Sequence, residues 1–219
     1  MVSLNQSAFI KRRAIHENFI YIQNLVKRFH RNKVPTLLLK LDISKAFDSI
    51  SWQFLLETLQ AFGFGSRWRE WVCSLFHTST SQILLNGKPG PPILHARGLR
   101  QGDPLSPMLF VLAMEPLSRI LRKADEAYLL SSLPSGPLHS RVSMYADDVA
   151  LFVKPTQQDI NNLKKILELF GNVAGLITNV HKSKNYLLHA QQLTSTMLLD
   201  ISQGKLHPFQ LITLESHFI

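Results

Sequence analysis

Apolar residues recur at near-helical spacing through residues 9–31, FIKRRAIHENFIYIQNLVKRFHR, at Ile15, Phe19, Ile22, Val26 and Phe29. Lys11, Arg12, Arg13, Lys27, Arg28 and Arg31 lie among them, so the pattern predicts a basic amphipathic helix. After Pro35 the pattern changes. TLLLKLDI is short and aliphatic, with a proline before it and a polar turn after it, and reads as a buried strand that places Asp42 at its carboxyl end. Phe47, Ile50, Phe54, Leu55 and Phe62 then fall on one side of a helix over about 45–62, with Gly63 as its stop. In residues 65–78, Trp68, Trp71 and Phe76 are expected in the core, with Arg67 and Arg69 outside. SQILLNGKPGPPILHARG alternates and turns at Asn86-Gly87, which predicts a hairpin.

Further on, RQGDPLSPMLFVLAMEPLSRILRKADEA offers Ser106 as an N-cap and Pro107 at the first helical position, ahead of a long apolar helix that Pro116 should kink. LPSGPLHS reads as a loop. RVSMY and VALFV flank Asp147-Asp148 as two strands of a tight hairpin. TQQDINNLKKILELFGNVAGL closes the pattern as an amphipathic helix with Ile160, Leu163, Leu167 and Phe170 on its apolar face. No internal repeat or low-complexity linker interrupts it.

Composition narrows the class. With 219 residues, 45% of them hydrophobic, the chain can bury a globular core. Lysine and arginine number 24 against 15 acids, a net charge of +9 that favours a polyanionic partner such as nucleic acid or an acidic membrane face. The basic face of the first helix is either part of that surface or an ordinary solvated face. Cys73 is the single cysteine, which excludes an intrachain disulfide and a multi-cysteine zinc site and favours an intracellular setting. The opening residues show no secretory pattern, and the longest apolar run, MLFVLAM, is too short to span a bilayer, so no membrane role is expected.

Adjacent carboxylates repel, and neither can be buried unpartnered, so Asp147-Asp148 is either a solvated turn or a site for positive charge. A third carboxylate, Asp42, ends a strand that can neighbour this hairpin, although a lone aspartate there is equally a helix cap. Three oxygen ligands of this kind suit Mg²⁺. Two such ions about 3.5 to 4 Å apart can activate a 3′ hydroxyl and clamp phosphates in line.

Taken with RQGDPLSP, these blocks resemble the reverse transcriptases, in particular those of non-LTR retrotransposons of the long interspersed element kind, over roughly residues 8–190. LKLDISKAFDSISW is similar to the family's first palm motif, ARGLRQGDPLSPMLF to its second and YADD to its third. The resemblance implies an α+β right-hand polymerase palm with partial fingers, its small antiparallel sheet packed on helices and its thumb absent. It divides the chain into a partial fingers segment at 1–36, a palm at 37–190 with a fingers insertion at about 51–103, and a degraded or frameshifted tail at 191–219. Asp42, Asp147 and Asp148 correspond to the metal carboxylates for two Mg²⁺ ions, with Mn²⁺ as a substitute. Asp147 is the firmer ligand of the hairpin pair, and the backbone of Ile43 lies beside the same metal. Phe47 falls where the family has an aromatic gate against a ribose 2′ hydroxyl, or else is plain helix core. Gln101 and Gly102 are placed against the incoming nucleotide and template, where a glycine lets backbone approach closely, and Arg100 against phosphate. GLITNVHKS matches an N-x-x-K-S pattern through Asn179, Lys182 and Ser183, with Lys182 a candidate acid for departing pyrophosphate. FIKRRAIHENF is similar to F-x-x-G-R-x-I-x-D-N, with Arg13 expected on the triphosphate, but Arg12 stands for the usual glycine and Glu17 for the usual aspartate.

The implied reaction is RNA-templated addition of deoxynucleotides to a DNA primer, with nuclear localisation by family resemblance and an oligomeric state left open. A family member of this kind carries an endonuclease ahead of the polymerase and a thumb behind it, so the chain reads as a fragment with little turnover expected. Residues 212–218, ITLESHF, stand where the family continues close to Y-L-G-I-P-L. Permissible codons for those residues spell that pattern in another frame, so a frameshift or misplaced exon just before Ile212 is inferred. A catalytically silent relic with residual RNA binding is the alternative function, and a two-metal nuclease, disfavoured by RQGDPLSP beside YADD, is a third.

Overall fold

In a computed structural model, residues 2–133, 140–179, 182–189 and 207–208 are described. In chain order the elements are α1 (Ile15–Arg31), β1 (Thr36–Leu41), α2 (Ala46–Ser49), α3 (Trp52–Ala61), α4 (Ser66–His77), the short strands β2 (Thr80–Ser81), β3 (Leu84–Leu85), β4 (Lys88–Pro89) and β5 (Ile93–Leu94), then α5 (Ser106–Glu126), β6 (Val142–Tyr145), β7 (Asp148–Val153), α6 (Gln157–Ala174), β8 (Lys184–Leu188) and β9 (His207–Pro208). Five strands form one sheet in the order β6-β7-β1-β8-β9, antiparallel except for the parallel β8–β9 pair. The architecture is α+β. Apart from His207 and Pro208, the tail at 191–219, with its inferred frameshift, lies outside the described residues, as does most of the LPSGPLHS loop.

β1 is mostly aliphatic, apart from Thr36 and Lys40, because both of its faces are covered along most of its length. Successive strand side chains point to opposite faces, and Leu37, Leu39 and Leu41 join Val149, Leu151 and Val153 in the main core with Phe110, Met114 and Leu117 of α5. Leu38 joins Ala150, Phe152 and Leu188 against Ile22, Leu25, Val26 and Phe29 of α1. So α1 covers one face and α5, with α3 and α6, the other.

Several local expectations shift for identifiable reasons. The first helix starts at Ile15, not residue 9, because Phe9 and Arg12 adopt left-handed backbone angles, φ 57° and 68°. Arg12 thus takes the conformation for which a glycine is the usual residue. Ile15 and Phe19 are not in the deep core; Ile15 is exposed. The helix expected over 45–62 is two. Ile50 turns extended (φ −55°, ψ 127°), and the Ser51 side chain caps α3 by accepting the Phe54 N–H at 3.3 Å. Ser106 is not the N-cap of α5 but its first helical residue: Asp103 accepts the Leu105 N–H at 2.8 Å, and Pro107 sits in the first turn. The helix runs on through Pro116. Trp71 is 57% exposed, with the Arg67 guanidinium 5.2 Å above its ring. Trp68 stacks on Phe64 and Phe76 on Trp52. The hairpin at Asn86-Gly87 forms as expected, its two turn residues at φ 50° and 78°. Among the described residues, no helix is long and apolar enough to cross a membrane.

Candidate active site

β1 pairs with β7 up to Leu41–Val149, so the chain leaving β1 at Asp42 meets the chain entering β7 at Asp148. Tyr145 pairs with Asp148 across the hairpin, which leaves Ala146 and Asp147 as the turn. All three aspartates therefore stand at one end of the sheet. The N-x-x-K-S segment secures the first of them. Asp42 N–H donates to Ser183 Oγ at 3.1 Å, and the Asp42 carbonyl accepts from Asn179 N–H at 2.7 Å. Ser183 Oγ in turn donates to the Asn179 carbonyl at 2.8 Å, and Asn179 Oδ1 accepts from the Lys182 N–H at 3.3 Å. Ile43 bridges to Thr178 just beyond. Asn179 and Ser183 are thus positioning residues for the Asp42 peptide, and Lys182 is exposed at the rim of that turn.

The half-buried Asp147 carboxyl is held above the usual carboxylate range, chiefly by burial, against which a hydrogen bond from its own backbone acts. The charges of Asp148 and Asp42 push it further the same way. Asp148 is turned elsewhere. By strand alternation it shares the face of Ala150 and Phe152, and Lys40, paired with Ala150, reaches it at 3.5 Å. The three carboxylates stand at one end of the sheet, where the charges of both Asp148 and Asp42 act on Asp147 and Asp148 also pairs with Lys40. Among the described residues, no group of three or more His, Cys, Asp or Glu is gathered tightly enough to hold one ion. The donor chemistry nevertheless fits a hard divalent cation, because two hard oxygen donors with mutually unfavourable charge gain from one between them.

The surrounding candidates divide in two. Phe47 is half-buried and stacks on Phe110 of α5, centroids 4.5 Å apart and 15° from parallel. It packs against the main core without being fully buried. The irregular segment before α5 is stitched to α2 and its C-cap, with Gly98 N–H donating to the Ile50 carbonyl at 2.8 Å and Leu99 N–H to that of Phe47 at 2.7 Å. Gly98 itself (φ 84°) is so close to the Asp48 backbone that a Cβ would lie 2.6 Å from the Asp48 carbonyl oxygen. On the exposed loop that follows, Gln101 Nε2 donates to Asp48 Oδ1 at 3.1 Å, and Gly102 (φ 86°) has open space where a Cβ would be. The Arg100 side chain is exposed beside them. Arg13 Nη1 donates to the carbonyls of Ser3 and Gln6, both at 2.6 Å, and so fastens the N-terminal segment. The sequence singled out neither Lys40 nor Gly98; a lysine two residues before Asp42 in the same strand was the signal available for the first.

The family model described as reverse transcriptase (RNA-dependent DNA polymerase) matches residues 1–210. Over 183 residues, 84% of this chain, the sequence is 31% identical to an uncharacterized 149 kDa protein of transposon TX1 from Xenopus laevis. It is 28% identical over 177 residues, 81% of the chain, to the retrovirus-related Pol polyprotein from type-2 retrotransposable element R2DM of Drosophila melanogaster. These matches span only 14% and 16% of the two relatives' own lengths. Among solved structures, telomerase from Candida tropicalis in complex with a TWJ fragment of telomeric RNA superimposes with a TM-score of 0.58 at 14% identity, over 80% of this chain and 30% of that one. The truncated apo form of that telomerase gives 0.57 over 81% and 35%. At that identity the likeness is one of fold.

Proposed function

Because the chain belongs to the reverse transcriptase (RNA-dependent DNA polymerase) family, we propose that its site is built for RNA-templated DNA synthesis: attack of a primer 3′ hydroxyl on the α-phosphate of a deoxynucleoside triphosphate. The new bond joins the 3′ oxygen to that phosphorus, the bond to the bridging oxygen breaks, pyrophosphate leaves, and the hydroxyl proton passes to solvent. The observation that carries this reading is the pairing of β1 with β7, which sets Asp42 beside the Asp147 turn from more than a hundred residues away.

Asp42, Asp147 and the backbone of Ile43 are the groups that would hold Mg²⁺, or Mn²⁺ in its place, with Asp148 shared with Lys40. Bound there, such ions supply a more acidic 3′ hydroxyl and neutralise charge on the phosphates. The remaining work falls to the chain itself. Phe47, backed by Phe110, cannot yield to an added 2′ hydroxyl, which selects deoxynucleotides by sterics. Gly102 leaves room for a base or sugar against bare backbone, Gln101 borders the same space, and Arg100 meets phosphate. Lys182 stabilises negative charge developing on the leaving pyrophosphate. In this reading the five-stranded sheet with α3, α5 and α6 is the palm, and residues 1–36 and about 51–103 belong to the fingers.

Primer extension on an RNA template with Mg²⁺ tests it, comparing the wild type with Asp147→Ala and Asp148→Ala. The weak extension expected of the wild type should be lost in Asp147→Ala; equal extension by all three contradicts the assignment. No extension by any of them, with RNA binding that falls steeply with salt and ignores Asp147→Ala, would instead mark a silent RNA-binding relic.

A further inference from the structure

We propose that Gln6 is the positioning residue for the Asp147 carboxylate, holding the β6–β7 turn by pairing its side-chain amide with the Ala146 peptide. The inference rests on the functional reading of Asp147 given above and adds a residue to it. Ala146 is a non-glycine residue at φ 53°, a conformation L-residues adopt reluctantly, so the turn needs support from outside the hairpin. Gln6 supplies it. Its side chain is 1% exposed, and Oε1 accepts from the N–H of Ala146 at 3.1 Å and from that of Ala8 at 2.9 Å. Nε2 points back to the Ala146 carbonyl at 3.5 Å, a long contact that completes the pairing.

A brace works only if its own footing is fixed, and this footing is. The segment around Gln6 runs parallel along β6, with Met144 N–H donating to the Asn5 carbonyl at 2.7 Å and Ser7 N–H to the Met144 carbonyl at 3.1 Å. Ser3 is anchored on the buried Glu115 of α5 through its N–H at 2.9 Å and its hydroxyl at 2.5 Å. Asn5 Nδ2 donates to Ser118 Oγ at 3.0 Å, and Arg13 clasps the Ser3 and Gln6 carbonyls. Gln6 therefore links α5 to the peptide immediately before Asp147. Without it the turn is free to leave the left-handed conformation at Ala146, the Asp147 carboxylate stands near Asp42 for only part of the time, and apparent cation affinity falls by that fraction.

The full chain is titrated with Mn²⁺, followed by the electron paramagnetic resonance of the free ion, and amide hydrogen exchange is measured over residues 144–148, both well below the unfolding temperature. Gln6→Ala should weaken Mn²⁺ binding about fivefold or more and expose the Ala146 amide, while the second substitution Ala146→Gly, which accepts positive φ without strain, should bring binding back to within about twofold. Gln6→Glu keeps the acceptor and should keep the Ala146 amide protected; a merely structural glutamine would lower thermal stability and show no rescue by glycine at 146. Should Gln6→Ala not fold, Gln6→Asn, too short to reach, takes its place with the same expectations. The proposal is overturned if Asp147→Ala weakens Mn²⁺ binding and Gln6→Ala leaves both binding and Ala146 protection unchanged. If Asp147→Ala binds Mn²⁺ like the wild type, the functional reading fails on its own account; exchange at Ala146 then decides the brace, which falls if Gln6→Ala leaves that amide protected.

Discussion

Asp147 holds its proton more tightly than a solvated aspartate, first because burial disfavours its charge and then because Asp148 and Asp42 stand near. A carboxyl whose folded pKa lies above its unfolded value makes ionisation a cost to the fold. That cost is absent below the ordinary value of 3.8, grows as pH rises toward the folded value, and is complete above it. Asp147→Asn should therefore raise the urea midpoint at pH 7.5, by a margin that shrinks as pH is lowered toward about 4 and narrows when Mg²⁺ is added. A variant no more stable than the wild type at pH 7.5 would contradict this. The hairpin between two apolar runs was legible, but its turn is Ala146 and Asp147, and Asp148 already belongs to β7. The direction of Asp148 was not legible, because it depends on which residue of β1 pairs with Ala150, and that residue carries Lys40 onto the same face. The bonds of Arg13 were hidden for a related reason: its partners here are backbone carbonyls of Ser3 and Gln6, which no side-chain motif announces.

At the scale of elements, the short helix α2, which carries Phe47, is clamped between two glycines distant in sequence. Gly98 lies against the backbone of Asp48, and Gly175 (φ 78°), the C-cap of α6, against the carbonyl of Ser49. At both, left-handed backbone and lack of space act together. Gly98→Ala and Gly175→Ala should each destabilise by about 2 to 4 kcal/mol, against about 1 kcal/mol for Gly63→Ala, which has the same backbone sign but open space. Equilibrium denaturation of the three variants checks this, and equal effects would show that packing against α2 is unimportant. The same clamp explains why one helix over 45–62 was expected and two were found. The apolar spacing of Phe47, Ile50, Phe54 and Leu55 is helical, but the Ile50 carbonyl accepts from Gly98 and the Ser51 N–H donates to Ala174, bonds made to other parts of the chain. Where a signal is local, as in the Asn86-Gly87 turn or the apolar run VALFV of β7, expectation and structure agree.

For the molecule as a whole, the α+β architecture was implied by the family resemblance of the motifs, whereas the strand-end placement of Asp42 followed from Pro35 and the aliphatic run after it. Sheet order could not be read, because β1 pairs with β7 and β8, more than a hundred residues on, which nothing near it in sequence specifies. That order brings Asp42 to Asp147, and the proposed chemistry depends on it. The most direct measurement is Mn²⁺ affinity, by water-proton relaxation, in the wild type and in Asp42→Asn, Asp147→Asn and Asp148→Asn. Loss of about tenfold or more at each of the first two, with about threefold or less at Asp148, whose charge Lys40 already partners, is the expected result. An Asp42→Asn variant that binds Mn²⁺ as tightly as the wild type would contradict the shared site.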